Sequence, residues 1–69
     1  MKKYELKDLE ELIGKPVYVK VIDENSHYKS GWAVLYKNEN INVYYAKSKD
    51  EYPISAYFNK TFELYDTEN

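Results

Sequence analysis

The hydrophobic pattern of this chain changes period once, at Gly14–Pro16, and the change separates a short helical lead-in from a β-rich remainder. Ahead of it, Leu6, Leu9, Leu12 and Ile13 recur three or four residues apart with Lys and Glu between them. That spacing lays one apolar stripe along a helix of about two to three turns and predicts an α-helix over about residues 3–13. Gly14 can take the positive φ of a helix stop, and Pro16 prevents the helix from resuming. So short a helix is unstable alone, and its leucines must rest on the rest of the fold.

Beyond Pro16 the period is two. Val17, Val19 and Val21 alternate with Tyr18, Lys20 and Ile22, as in a strand with one buried face. Polar residues 23–27 connect it, by way of Ser30-Gly31, to a second strand through Trp32-Ala33-Val34-Leu35-Tyr36. Lys37-Asn38-Glu39-Asn40 reads as a four-residue turn into a third strand over residues 41–45, a hairpin of common loop length. Residues 47–51 form the next turn. The fourth element, residues 52–57, contains Pro53, which has no N–H to give a ladder, so it belongs at an edge or begins after that residue. Asn59-Lys60 makes a corner, and residues 61–65 form the last strand before a polar tail. On the second strand, Trp32, Val34 and Tyr36 share one face, and Gly31, Ala33 and Leu35 share the other.

Five short strands with regular turns, preceded by one small helix, predict a mainly β protein: a small five-stranded antiparallel SH3-like barrel with a short N-terminal α-helix. The helix occupies about residues 3–13 and the barrel about residues 16–65 of a single domain spanning 1–69. An open antiparallel sheet with the helix across one face would bury the same residues. The barrel is preferred because one short helix cannot cover five strands, whereas a closed sheet covers itself.

Several short motifs along the chain fit one family pattern. It has a Leu-rich lead-in (Leu9, Leu12), Gly-x-Pro-Val-aromatic-Val (Gly14, Pro16, Val17, Tyr18, Val19) and Gly-Trp (Gly31, Trp32). It ends on aromatic-Gly-Lys-Thr-Trp with a late Tyr, matched here by Tyr57, Lys60, Thr61, Phe62 and Tyr65. In this the chain resembles short SH3-like barrel proteins encoded in phages, prophages and conjugative elements of Gram-positive bacteria. Tyr18 and Phe62 stand where Trp is usual, and Asn59 where Gly is usual. The last change is physically mild, because Asn tolerates a left-handed turn position better than other non-glycine residues. The resemblance implies a mobile-element origin and a small barrel, with no established activity to carry over.

Composition narrows the chemistry. A chain of 69 residues supports a core of about a dozen side chains and no large catalytic cleft. Without Cys, disulfides, thiolate metal sites and thiol nucleophiles are all excluded. No apolar run is long enough for a signal peptide or membrane span, which leads us to expect a cytoplasmic protein with no membrane association. Ten basic residues, all Lys, face 12 acidic ones for a net charge of −2. Lys without Arg, with abundant Asn, Tyr and Ile, is what AT-rich codons produce and fits a low-GC bacterium. The acids concentrate in residues 50–69, where five stand against one Lys, but they form no acidic block.

Nine tyrosines are the main invitation to a functional reading. Tyr suits half-exposed strand faces, where the ring is buried and the hydroxyl stays wet. Tyr and Trp are also enriched among binding hot spots, so the same residues can form a contact surface. Tyr18, Tyr28, Tyr44 and Tyr57 are the candidates for an exposed aromatic set. Trp32 joins them as a contact candidate, although a Trp in such a position is more often core. His27 lies in a polar loop with Asp23, Glu24 and Ser26, at a spacing that matches no metal loop and without a second His as anchor. A catalytic triad needs members converging from separate parts of a fold, and a phosphate loop needs more glycine than Gly14 and Gly31 supply. No enzyme activity, cofactor or metal is therefore expected.

Two binding classes remain beside protein contact. Lys15, Lys20, Lys29, Lys47 and Lys49 could meet phosphates alongside stacked tyrosines, but the acidic balance and missing Arg weigh against nucleic acid. An SH3-type peptide site at Asp23-Glu24 and Trp32 rests on fold analogy alone. The favoured expectation is a non-enzymatic accessory protein acting through an aromatic sheet face. Its partner would be an unidentified host or element protein, or a second copy bound at an exposed strand edge. A nucleic-acid-binding small barrel is the alternative.

Overall fold

The computed structural model describes residues 2–54 and 58–68. Five strands, β1 (Pro16–Val21), β2 (Gly31–Asn38), β3 (Asn40–Tyr44), β4 (Glu51–Pro53) and β5 (Phe62–Tyr65), form one antiparallel sheet in the order β4-β3-β2-β1-β5. A seven-residue helix, Leu6–Leu12, precedes them.

That helix is a 3-10 helix and is shorter than the α-helix predicted over residues 3–13. Its start is fixed by Glu5, whose N–H donates to the Asp8 carboxylate at 2.8 Å. Residues before Glu5 are drawn out of helical geometry because they pair with β5: the Tyr4 N–H donates to the Leu64 carbonyl at 2.8 Å, and Lys3 bridges Tyr65. Leu9 and Leu12 reach the core, while Leu6 is left 67% exposed. Gly14 takes φ 84° at the end of the helix, and its N–H donates to the Leu35 carbonyl at 2.7 Å. The predicted stop is thus also the corner that delivers the chain into β1.

The period-two pattern translates directly into burial. Val17 and Val19 on β1, Ala33 and Leu35 on β2, and Phe62 and Leu64 on β5 all face inward. They meet Val43, Tyr45, Tyr52, Ile54 and Phe58 in one cluster, which Leu9 and Leu12 complete. One turn is tighter than its sequence reading. β2 and β3 run further than expected, so that Asn38 pairs with Asn40 and Glu39 alone, at φ 59°, makes the reversal. β4 lies at the sheet edge, the first of the two placements Pro53 allowed, and it ends at Pro53, where a residue without an N–H costs no ladder bond. The Asn59 corner is left-handed as predicted, at φ 61°, with its N–H donating to the Phe62 carbonyl at 2.8 Å.

The sheet does not close into a barrel. β4 offers only three residues, and the outer edge of β5 is already occupied by the N-terminal segment, with the Asp66 N–H donating to the Lys2 carbonyl at 3.0 Å beside the Tyr4–Leu64 bond. The chain start therefore takes the position that β4 would need. The sheet still coils far enough for side chains from its two edges to touch, because the Tyr52 ring on β4 lies 5.5 Å from that of Phe62 on β5. Among the described residues, no helix is long and apolar enough to cross a membrane.

Candidate functional site

Strand alternation leaves the second face of the sheet without a covering layer among the described residues. Across β5, β1 and β2, the register places Tyr65, Tyr18 and Trp32 side by side. Tyr18 and Trp32 meet edge to face, with ring centroids 5.6 Å apart and planes at 75°. This arrangement sets the positive edge of one ring against the negative face of the other. The next row holds Pro16, Val34, Tyr44 and Glu51. Trp32 is 46% exposed, and Ile22, which continues the outward alternation of β1, is 43% exposed. The core lies under Ala33 and Leu35, so the structure corrects the more usual assignment of a strand Trp to the core.

Polar groups border the aromatic row. Lys20 pairs with Glu63 across β1 and β5, and the Lys20 Nζ sits 6.0 Å above the Tyr65 ring. Glu63 accepts from the Tyr65 hydroxyl at 2.7 Å and from Lys3 at 2.9 Å. The Tyr65 bond first, and the Lys3 bond second, hold its carboxyl below the usual glutamate range. At the far side, the Tyr36 hydroxyl donates to Glu51 at 2.7 Å, which pushes that phenol up.

Comparisons with protein-family models, curated proteins and solved structures find no match to this chain.

Tyr18, Trp32 and Tyr44 share the outer face. Tyr28 does not join them. It is half-buried, with its ring stacked on Tyr52 at 4.1 Å and 31°, where it helps to cover the core. Tyr57 lies outside the described residues. Tyr18 and Trp32 also form one wall of a cleft of about 700 Å³ between the β1–β2 and β3–β4 connections. Tyr28 and Tyr45 contribute further aromatic surface to that cleft, and Lys29, Lys47, Asp50 and Glu68 line it with both charge signs. His27 also lines it, on a loop whose Asp23 carboxylate is turned back to accept from the Asn25 N–H at 2.9 Å.

Two features escaped the sequence reading. Tyr65 belongs to the outer row, a placement its parity with Glu63 gives once β5 is paired with β1. Tyr45 and Tyr52 are buried, and their hydroxyls share a hydrogen bond of 2.7 Å. Burial raises both phenols above the usual range, helped at Tyr52 by the bond to Tyr45. Tyr45 continues the inward parity of Val43 past the end of β3, and Tyr52 lies opposite Val43 on β4, so alternation places both rings inside once the strands are paired; the bond between their hydroxyls is set by that pairing and not by any local pattern.

Proposed function

We propose that this chain is a non-enzymatic accessory protein of a bacterial mobile element, working in the cytoplasm by protein contact through the outer face of its sheet. The observation that carries the contact reading is the half-exposed Trp32 packed edge to face on Tyr18, in a sheet whose core lies on the opposite side. Trp and Tyr held rigidly on strands lose little side-chain freedom when a partner covers them, which is why they dominate binding hot spots. The mobile-element reading draws support from the Gly-x-Pro-Val, Gly-Trp and Lys-Thr-aromatic motifs. An SH3-like reading of the fold draws support from the return of β5 beside β1 and from the side-chain contact between Tyr52 and Phe62 across the open seam.

The test is affinity capture with the purified chain from nuclease-treated lysate of a low-GC Gram-positive host carrying such an element. A protein retained in near-stoichiometric amount by the wild type and lost with Trp32→Ala or Tyr18→Ser is the expected result. Equal retention by the variants would refute this face as the contact. The cleft favours one other reading, single-stranded nucleic acid, because it combines four aromatic side chains with Lys29 and Lys47. Asp50 and Glu68 in the same cleft oppose it. Under that reading, retention of nucleic acid falls steeply between low and physiological salt.

A further inference from the structure

We infer that the occupant of the outer face is a second copy of this chain, packed face to face about a two-fold axis. The inference rests on the reading of that face as a protein contact and names its partner. First, the strand edges are obstructed. Among the described residues, the N-terminal segment covers β5, and β4 is three residues long and ends in Pro53, so they offer a second chain little free ladder to extend and edge-on pairing gives way to the face.

Second, the charges around the aromatic row are of both signs and lie side by side, Lys20 opposite Glu63 on neighbouring strands with Lys3 bonded to the same carboxylate. A two-fold contact brings a patch against itself, so a patch of one sign repels its copy while a mixed one can match lysine to glutamate across the axis. Third, the molecule measures 27 × 25 × 21 Å, so one broad face offers on the order of 700 Å². A standard interface takes about 800 Å² from each side. The whole face falls somewhat short of that, which sets the expectation of a weak, concentration-dependent dimer rather than an obligate one.

Trp32 is the sole tryptophan and sits at the centre of the proposed contact, so the chain carries its own reporter. The experiment is sedimentation equilibrium of the full chain from low micromolar to millimolar concentration, with Trp32 emission and acrylamide quenching read on the same samples. The expected result is a doubling of mass accompanied by a blue shift and loss of quenching over the same range. Lys20→Glu and Glu63→Lys each put like charges at the paired 20 and 63 positions of the patch; each alone should weaken self-association by at least about ten-fold, and an equimolar mixture of the two should restore it. A monomer at every concentration with Trp32 equally quenchable overturns the inference, as does wild-type association by either charge variant alone. Should Glu63→Lys fail to fold by far-UV circular dichroism, Trp32→Ala carries the test by sedimentation, and undiminished dimerisation overturns it. If the chain stays monomeric yet captures a different protein through Trp32, the contact reading stands and the second copy is ruled out.

Discussion

The two sides of β2 divide neighbouring residues into opposite environments. Leu35 is fully buried and Ala33 nearly so, whereas Trp32, one residue before Ala33, is 46% exposed. Parity and not size makes this division, since the core under β2 also holds the rings of Phe62, Tyr45 and Tyr52. The tyrosines divide in the same way. Tyr45 and Tyr52 are buried and bonded to each other, while Tyr18 and Tyr44 stand on the outer rows. Tyr45 and Tyr52 thus do different work from Tyr18 and Tyr44, and the number of tyrosines alone says nothing about a surface.

If the inner side carries stability and the outer side carries contact, substitutions on the two sides must differ in cost. The largest loss is expected at Leu35→Ala, about 2–5 kcal/mol from lost burial and the cavity left behind. Urea unfolding measures it, and a domain of this size has only about 5–10 kcal/mol to lose. A cost near that of a surface substitution would mean that the core does not lie under β2 as described.

Tyr52→Phe ranks next. It leaves the Tyr45 hydroxyl buried without the partner now at 2.7 Å, at an expected cost of about 1–3 kcal/mol. Replacing both by Phe should recover a good part of the loss, since neither hydroxyl is then left behind. A double variant as unstable as Tyr52→Phe would show that the pair is not a closed unit.

The same pair sets a pH dependence. Both phenols are raised above their ordinary value of 10.0, chiefly by burial, so the folded state holds them neutral where the unfolded chain ionises them. Their contribution is fully present below pH 10 and declines as pH rises above it, because the unfolded chain then releases protons that the folded one keeps. Absorbance titration of tyrosinate beside far-UV circular dichroism should show these two rings ionising together with unfolding. The Tyr45→Phe/Tyr52→Phe double variant should flatten the alkaline decline.

How much of this was legible in the sequence follows from which forces are local. The alternation of Val17, Val19, Ala33 and Leu35 announced the buried face, and Gly14 and Asn59 announced their turns, because period and backbone conformation are properties of neighbouring residues. Barrel closure was misread because it depends on which segment reaches the edge of β5, and Lys2–Tyr4 reaches it through bonds spanning almost the whole chain. The same capture explains why the helix is shorter than its leucine stripe. On the candidate surface, Tyr18, Trp32 and Tyr44 shared a face as parity required once the strands were paired. Tyr28, expected in the exposed set, packs on Tyr52 instead, because its place is set by the fold of a loop and not by a period.

The smallest expected effect is also the one that most sharpens the contrast between the faces. Trp32→Ala removes an edge-to-face contact with Tyr18 that is worth about 0.5–1.5 kcal/mol, and nearly half of the ring surface is already in water. Its unfolding cost should therefore stay below about 1.5 kcal/mol, clearly under that of Leu35→Ala, as urea unfolding followed by circular dichroism would read. A small cost combined with lost association assigns the ring to contact. A cost equal to that of Leu35→Ala would make Trp32 a second core residue and remove the surface on which both the contact and the self-pairing depend.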